Sequence, residues 1–263
     1  MQVGLVLLGH GSRDPQGAAE FLQLVAAVAS AQPERCVRGG VLEFPGPVAP
    51  PIQAAADEVA GSGARVVVGQ PVLLFHAGHD KDDMPSQHRR MAERHPDVEF
   101  RLGSPFGLRP EMIELAYERA VAARERLGPQ EGPTGLLLVA RGTNHPEANG
   151  DMFKLARLFW ERYRAEFPLV EAAFVSLAQP FVPEGIARLR ALGARRIVVA
   201  PYFINTGILV RRIDEQARRT AEAMRDVPLA VARHLGVDQR LVAVICDEAA
   251  RAERSPRAAQ EAG

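Results

Sequence analysis

Short apolar segments alternate with longer amphipathic segments along the whole chain. In the first half, four apolar runs of strand length predict buried β-strands at Gln2–Leu8, Arg38–Phe44, Ala64–Leu74 and Val98–Leu102. Four segments of helical character follow these runs in turn, at Pro15–Ala29, Val48–Val59, Lys81–Arg94 and Glu111–Leu127. Strands separated by helices of this length are typical of a parallel sheet covered on both faces.

A linker rich in proline and glycine, residues 128–133, separates this pattern from a second copy of it. The second half predicts four strands, at Gly135–Val139, Glu171–Leu177, Arg196–Phe203 and Leu229–His234. It also predicts four helices, at Asn149–Phe167, Pro183–Leu192, Ile208–Met224 and Asp238–Ala252.

The two halves also match residue by residue, which indicates an internal duplication. GARVVVGQP (63–71) matches GARRIVVAP (193–201) at an offset of 130 residues, and LLGHGSRDP (7–15) matches LVARGTNHP (138–146) at 131. VLEF (41–44) matches FVSL (174–177) at 133. A common origin explains three matches at nearly constant offset better than the general similarity of all α/β units.

We therefore predict an α/β fold made of two flavodoxin-like lobes, each with a parallel sheet flanked by helices, and a cleft between them. Residues 1–128 form the predicted N-terminal lobe, which carries the metal and catalytic site. Residues 134–252 form the predicted C-terminal lobe, a degenerate repeat that completes the cleft, and residues 253–263 form a flexible tail.

Composition narrows the function classes. The 263 residues carry 32 basic and 32 acidic side chains, so net charge gives no reason to expect a nucleic-acid or anionic-membrane partner. The two cysteines, Cys36 and Cys246, lie far apart in the sequence, which argues against a disulfide scaffold or a thiolate metal site. The first apolar run is too short to cross a membrane or to serve as a signal-peptide core, so we expect a cytoplasmic protein.

Three ionisable residues of the first half follow predicted strands. His10 follows the first strand, Glu43 closes the second, and His79 comes just after the third. Ligands of open parallel sheets bind outside the carboxyl ends of the strands, and two imidazoles with a carboxylate form a plausible divalent-metal site there. His76 lies in the same segment as His79, but its glycine-containing loop makes it the weaker candidate ligand.

The second half keeps the frame of the repeat but replaces these groups. Arg141 stands in place of His10, Ser176 in place of Glu43, and Ile208, with a one-residue gap, in place of His79. This replacement predicts one active lobe and one lobe that shapes the cleft. A dinucleotide or phosphate site is disfavoured, because no third glycine follows Gly9 and Gly11 at the required spacing and no Walker lysine is present.

Four segments together resemble one family. They are LLGHGSRDP, AGHDKDDMP, LVARGTNHPEAN and SLAQPFVPEGIARLRALGARRIVVAPYFINTGILVRRI. In this order, over roughly residues 3–240, they resemble the class II tetrapyrrole chelatases, in particular the long, two-repeat CbiX-type sirohydrochlorin cobaltochelatases. Thr143-Asn144-His145 departs from the more usual Ser-Ser-Asp, and the chain has neither a histidine-rich segment nor a cysteine cluster.

The resemblance implies ATP-independent insertion of a divalent metal, Co²⁺ in the first place, into sirohydrochlorin for cobalamin biosynthesis. His10 and His79 match the family's metal-binding histidines, and Glu43 matches a carboxylate that assists the metal or takes protons. Sirohydrochlorin carries eight carboxylates, so we expect Ser12, Arg13 and Arg141 to bind it, while Lys81, Arg211 and Arg212 are weaker candidates. No organic cofactor is implied, and the metal is a substrate.

Two alternatives stay open at this point. The same site could insert Fe²⁺ as a sirohydrochlorin ferrochelatase on the sirohaem route, because histidine and carboxylate ligands accept either ion. A protein of another class, a carrier that binds metal or tetrapyrrole without turnover, would share the same residues. Because the duplicated chain supplies both lobes, we expect a functional monomer whose partners are sirohydrochlorin and the metal ion.

Overall fold

The computed structural model describes residues 2–46, 48–75, 78–129, 131–224 and 226–255, with the backbone alone over residues 78–83. The elements of the first half are, in chain order, β1 Val3–Gly9, α1 Pro15–Ala31, β2 Val37–Val41, α2 Ile52–Gly61, β3 Val66–Pro71, α3 Gly78–Arg94, β4 Glu99–Leu102 and α4 Pro110–Glu125. Those of the second half are β5 Thr134–Ala140, α5 Pro146–Tyr163, β6 Leu169–Phe174, α6 Val182–Ala191, β7 Arg196–Pro201, α7 Ile208–Met224, β8 Leu229–Val231 and α8 Gln239–Arg254.

The strands form two parallel sheets with the same topology. Their orders are β2-β1-β3-β4 and β6-β5-β7-β8, and every pairing of neighbours is parallel. The central strands are continuous apolar runs because helices cover both faces of each sheet. This arrangement confirms the predicted fold class of two duplicated α/β lobes.

In each sheet the strand order reverses between the first and the third strand in sequence. The crevice at such a switch point, outside the carboxyl ends of the strands, is where open α/β sheets bind ligands. In the first sheet the switch point lies between β1 and β3, so the segments that follow these two strands, at His10 and at the start of α3, flank it.

Contacts divide the chain into two compact units that exchange their last helices. Unit 1 comprises residues 1–107 and 237–263, and unit 2 comprises residues 108–236. In unit 1, α8 packs against β3, β4 and α1, whereas α4 packs against β7, β8 and α5 of unit 2. The packing units therefore differ from the lobes predicted at residues 1–128 and 134–252. Helix α4, the last helix of the first predicted lobe, belongs to unit 2, and α8, the last helix of the second predicted lobe, belongs to unit 1.

Each unit has three layers. In unit 1, α2 and α3 cover one face of the sheet, and a cluster of buried residues fills the space between them, including Val6, Ile52, Val67 and Phe100. In unit 2, α6 and α7 cover the corresponding face over a similar cluster. These two cores fix the strands whose carboxyl ends carry the candidate residues.

The element boundaries differ from the predicted ones in a few places. Helix α2 begins at Ile52 rather than at Val48, because Pro50 and Pro51 immediately precede it and Pro51 is its N-cap residue. Helix α8 continues to Arg254, two residues into the predicted tail, and Glu253 forms an ion pair with Arg35 at 2.8 Å. The rest of that predicted tail, residues 256–263, lies outside the described residues.

No helix within the described ranges has both the length and the apolar character needed to cross a membrane.

Candidate functional site

The loops after β1 and β2 run side by side beyond the ends of the strands. The Leu42 N–H donates to the Gly9 carbonyl at 2.9 Å, and the Glu43 N–H donates to the His10 carbonyl at 2.8 Å. The parallel pairing of β1 with β2 thus continues for two residues past the sheet. This continuation places the His10 and Glu43 backbones next to each other, as the sequence predicted.

Gly11 makes this close approach possible. Its φ is +102°, in a region that favours glycine, and a Cβ at this position would lie 1.9 Å from the Glu43 carbonyl oxygen. Any larger residue would push the two loops apart. The glycine therefore sets the distance between the histidine and the carboxylate.

The side chains of His10 and Glu43 form the centre of the candidate site. The His10 Nε2 atom lies 3.9 Å from the Glu43 Oε2 atom, and the two side chains are 35% and 41% exposed. A metal–ligand bond to imidazole nitrogen or carboxylate oxygen is about 2.0–2.2 Å long, so two atoms on one ion lie at most about 4.2 Å apart. The pair is within reach of a single ion and open to solvent on one side.

Ser12 and Asp14 hold the loop that carries His10. The Ser12 hydroxyl accepts a hydrogen bond from the Asp14 N–H at 3.1 Å, and the Asp14 carboxylate caps α1 by accepting from the Gln16 N–H at 3.0 Å. Pro15 begins the helix, a position where its missing N–H costs nothing. Ser12 therefore supports the loop, and its predicted contact with substrate stays a prediction.

Arg13, another predicted substrate-binding residue, lies on an aromatic ring. Its guanidinium carbon is 4.5 Å from the centroid of the Phe44 ring, within the range of a cation–π contact. Phe44 directly follows Glu43 and is 43% exposed. Phe44 is not among the site residues predicted from the sequence, although an aromatic residue between Glu43 and Pro45, where strand-to-helix loops are usually polar, was a signal.

His79 is the second residue of α3, the helix that follows β3. Its backbone thus lies at the carboxyl end of the strand that pairs with β1, on the same edge of the sheet as His10. The His79 and Lys81 side chains, and all of His76, lie outside the described residues. Among the side chains that are described, no group of three histidine, cysteine or acidic residues could hold a metal ion.

Unit 2 repeats the backbone of this site without its ionisable pair. The Ser176 N–H donates to the Arg141 carbonyl at 3.1 Å, and a Cβ on Gly142 would lie 2.0 Å from the Ser176 carbonyl oxygen. Arg141 and Ser176 thus occupy the positions in unit 2 that correspond to His10 and Glu43 in unit 1. Helices α3 and α7 both have 17 residues and begin 130 positions apart, an offset that would align His79 with Leu209, so the pairing of His79 with Ile208 stays a prediction.

Two other histidines of the first half have structural partners. The His95 Nε2 atom lies 2.7 Å from an Asp57 carboxylate oxygen that also pairs with Arg94, and the His88 Nε2 atom lies 3.0 Å from the Phe100 carbonyl. The Arg94 guanidinium, followed by His95, lowers the pKa of the Asp57 carboxyl. These contacts explain both histidines without a role in the site.

Unit 2 also has a basic cavity. A cavity of about 380 Å³ is lined by Arg126, Arg211 and Arg233 with one carboxylate, Asp214, which pairs with Arg218 at 2.8 Å. Arginines therefore outnumber carboxylates in its wall. Arg211 was one of the weaker candidates for binding anions.

This chain is similar to known proteins in both sequence and fold. The CbiX family model matches residues 4–123 and again residues 135–252. The chain is 31% identical to a sirohydrochlorin cobaltochelatase of Priestia megaterium over 93% of its length and 78% of that protein. It is 27% identical to a sirohydrochlorin ferrochelatase of the same organism over 90% of its length and 85% of that protein.

The fold matches that of a solved structure, SirB from Bacillus subtilis with Fe³⁺. The TM-score is 0.81 at 21% identity, over 97% of this chain and 96% of that one. Two matches to a single family model account for almost the whole chain and coincide with the two repeats found in the sequence. The chain therefore belongs to the CbiX family.

Proposed function

We propose that this protein inserts Co²⁺ into sirohydrochlorin without ATP, as a step of cobalamin biosynthesis. The observation that carries the proposal is the His10–Glu43 pair, 3.9 Å apart at the carboxyl edge of the first sheet in a CbiX-family chain. The cobaltochelatase name of the relative that is 31% identical supports cobalt as the metal.

His10 and Glu43 provide ligand types that suit a metal ion which must be transferred to the tetrapyrrole. Imidazole nitrogen and carboxylate oxygen bind borderline divalent ions such as Co²⁺ and Fe²⁺ less tightly than thiolates do. In our proposal His10 binds the incoming ion together with His79. Glu43 lies close enough to share it, and the solvent-exposed side of the pair leaves coordination positions for the tetrapyrrole nitrogens.

Insertion also releases two protons, because two pyrrole N–H bonds break as two metal–nitrogen bonds form. The Glu43 carboxylate and the imidazoles are the basic groups proposed for this edge, and they can accept these protons. A positioned base is worth roughly 10²–10⁴ in rate. We therefore propose catalytic roles for His10, His79 and Glu43.

The carboxylates of sirohydrochlorin require cationic or hydrogen-bonding partners. Arg13 lies on the ring of Phe44, the residue after Glu43; it is exposed and forms no ion pair among the described residues. We propose that Arg13 and Ser12 bind the substrate in unit 1. Arg141, the residue equivalent to His10, has the same role in unit 2.

The test is anaerobic insertion, followed by the visible spectrum of sirohydrochlorin with Co²⁺ or Fe²⁺. Wild-type protein should convert the spectrum well above the spontaneous rate, and a variant carrying both His10→Ala and His79→Ala should not. His88→Gln, a change outside the site that can keep the contact with Phe100, is the matched control and should act as wild type does.

Iron is the second candidate metal, because the relative that is 27% identical is named a ferrochelatase. Faster insertion of Fe²⁺ than of Co²⁺ would indicate that the protein is a ferrochelatase of sirohaem biosynthesis. Binding of the ring without conversion for either metal would overturn the enzyme proposal and leave a carrier.

A further inference from the structure

The residue that follows Glu43 has an unusual backbone conformation. Phe44 has a φ of +53°, in the left-handed region that residues with a Cβ rarely adopt. The next residue, Pro45, adds to the cost, since a proline restricts its predecessor towards extended conformations. Two independent steric effects thus oppose the conformation in which Phe44 is held.

Leu177, the equivalent residue of unit 2, lies in a turn closed by a hydrogen bond that unit 1 cannot form. Leu177 has a φ of +65°, and the Ala178 N–H donates to the Ser176 carbonyl at 2.8 Å, which closes a three-residue turn around it. In unit 1 the residue at the place of Ala178 is Pro45, which has no N–H to donate. The strain at Phe44 is therefore not offset by this hydrogen bond.

The residue in this conformation carries an exposed aromatic ring and directly follows one member of the His10–Glu43 pair. Phe44 is 43% exposed and adjacent in sequence to Glu43. The Arg13 guanidinium lies 4.5 Å from the centroid of the ring. A stacked guanidinium keeps its five N–H donors in its own plane, so Arg13 can still bind a carboxylate at the edge of the ring.

We propose that Phe44 packs against the flat face of the tetrapyrrole and, with Arg13 stacked on it, orients the macrocycle over the His10–Glu43 pair. The ligand in this proposal is a flat conjugated ring with carboxylates on its rim. Phe44 contacts the ring, and Arg13 contacts the carboxylates. The inference rests on the proposed function and adds a positioning residue to it.

The test is Phe44→Leu, because Leu177 adopts this backbone conformation in the equivalent loop of unit 2. The variant loses only the aromatic ring. The Kd for sirohydrochlorin, measured by titrating its absorbance without metal, should rise about three- to tenfold. The KM for the ring should rise in parallel, while kcat and the Co²⁺ affinity measured by calorimetry change less than twofold.

Two further variants separate stacking from a general loss of exposed apolar surface. Phe44→Trp should restore the wild-type Kd, because its larger ring can stack in the same way. Phe153→Leu makes the same chemical change on α5 at 44% exposure and should leave both Kd and KM unchanged. A Phe44→Leu protein that unfolds at the wild-type temperature excludes a folding defect.

The outcomes also distinguish this inference from the proposed function. Wild-type protein that binds the ring but inserts no metal, together with weaker binding by Phe44→Leu, supports the inference and overturns the chelatase proposal. Wild-type insertion kinetics with an unchanged Kd and KM in Phe44→Leu overturn the inference alone. Failure of the wild-type protein to bind sirohydrochlorin overturns both.

Discussion

The geometry of the candidate site depends on Gly11, a residue with no functional group. Gly11→Ala would add a Cβ 1.9 Å from the Glu43 carbonyl oxygen, at a φ of +102°. We expect the free energy of unfolding to fall by about 2 kcal/mol or more, from overpacking and backbone strain together. Because the loops must move apart, the affinity for Co²⁺ should fall too. Urea denaturation and calorimetric titration with Co²⁺ measure the two effects.

The duplication provides the control for this prediction. Gly142→Ala meets the Ser176 carbonyl oxygen at 2.0 Å with a φ of +82°, so it should cost a similar free energy of unfolding without lowering the affinity for Co²⁺. Gly46→Ala, with no atom within 4 Å of the added Cβ, should have neither effect. Equal Co²⁺ affinities in Gly11→Ala and wild-type protein would show that the loop crossing does not set the metal site.

Asp57 gives a prediction about pH. Its carboxyl pKa is lowered mainly by Arg94, so the ionised form stabilises the folded state above the unfolded pKa, and this stability is lost as the pH falls through the folded pKa. The groups are partly exposed, so Asp57→Asn should lower the free energy of unfolding at pH 7 by no more than about 1 kcal/mol. The difference in unfolding free energy between Asp57→Asn and wild-type protein should shrink below about pH 4.

Urea denaturation at pH 7 and pH 3 checks this dependence. Asp97→Asn is the matched control, because the exposed Asp97 carboxylate forms no ion pair among the described residues. It should show no such change between the two pH values. A loss in Asp57→Asn that is as large at pH 3 as at pH 7 would assign the effect to packing rather than to charge.

The sequence could predict part of the site, for a physical reason. His10 and Glu43 follow adjacent parallel strands, and the carboxyl ends of such strands meet at one edge, so their proximity follows from strand order. Phe44 could not be found in this way, because its left-handed φ and its contact with Arg13 do not follow from strand order. The partner of His79 in the second half could not be fixed to one residue, because local matching uses a gap that the bounds of α3 and α7 do not require.

At the scale of elements, the cap of α1 links helix stability to the loop that carries His10. The Asp14 carboxylate accepts from the Gln16 N–H at 3.0 Å, and the Asp14 N–H donates to Ser12. Asp14→Ala should cost about 1 kcal/mol of unfolding free energy, measured by thermal or urea denaturation. Asp14→Asn keeps an acceptor oxygen and should retain most of that free energy. Equal losses in the two variants would show that the carboxylate acts by its charge rather than as a cap.

The elements themselves were predictable, because the central strands are buried and mainly apolar and amphipathic helices alternate with the strands along the chain. All eight strands and all eight helices predicted from the pattern occur in the described ranges. The ends were less well determined. Apolar residues continue past the last strand pairing, as after β3, where Val72 to Leu74 follow the sheet without belonging to it. Apolar character marks burial, and it does not show where the ladder of hydrogen bonds ends.

At the scale of the whole molecule, the exchange of α4 and α8 was not predictable from the repeat. Duplication gives both helices an apolar face of the same kind, and a sheet of either unit can bury it. Sequence adjacency favours the sheet each helix follows, whereas the structure packs α4 in unit 2 and α8 in unit 1. Only tertiary contacts distinguish the two arrangements.

These contacts make unit 2 a continuous segment that carries all of its layers. Tyr117 of α4 stacks on Tyr163 with ring centroids 3.8 Å apart and meets the edge of Phe167, and Arg119 donates to the Leu235 carbonyl at 2.9 Å. Burial of the three largest apolar side chains of α4, Met112, Ile113 and Leu115, contributes roughly 5–9 kcal/mol. This value is comparable to the whole stability of a typical domain.

A fragment of residues 108–236 should therefore fold alone, and a fragment of residues 134–252, the lobe predicted from the repeat, should not. The second fragment lacks α4, so Phe159 and Phe167 lose their cover, while its α8 lacks β3 and β4 to pack on. Circular dichroism and urea denaturation should show one cooperative transition for residues 108–236 and a non-cooperative, aggregating species for residues 134–252. Equal cooperativity in the two fragments would mean that α4 contributes little to the unit, and the boundary would then lie at the linker after all.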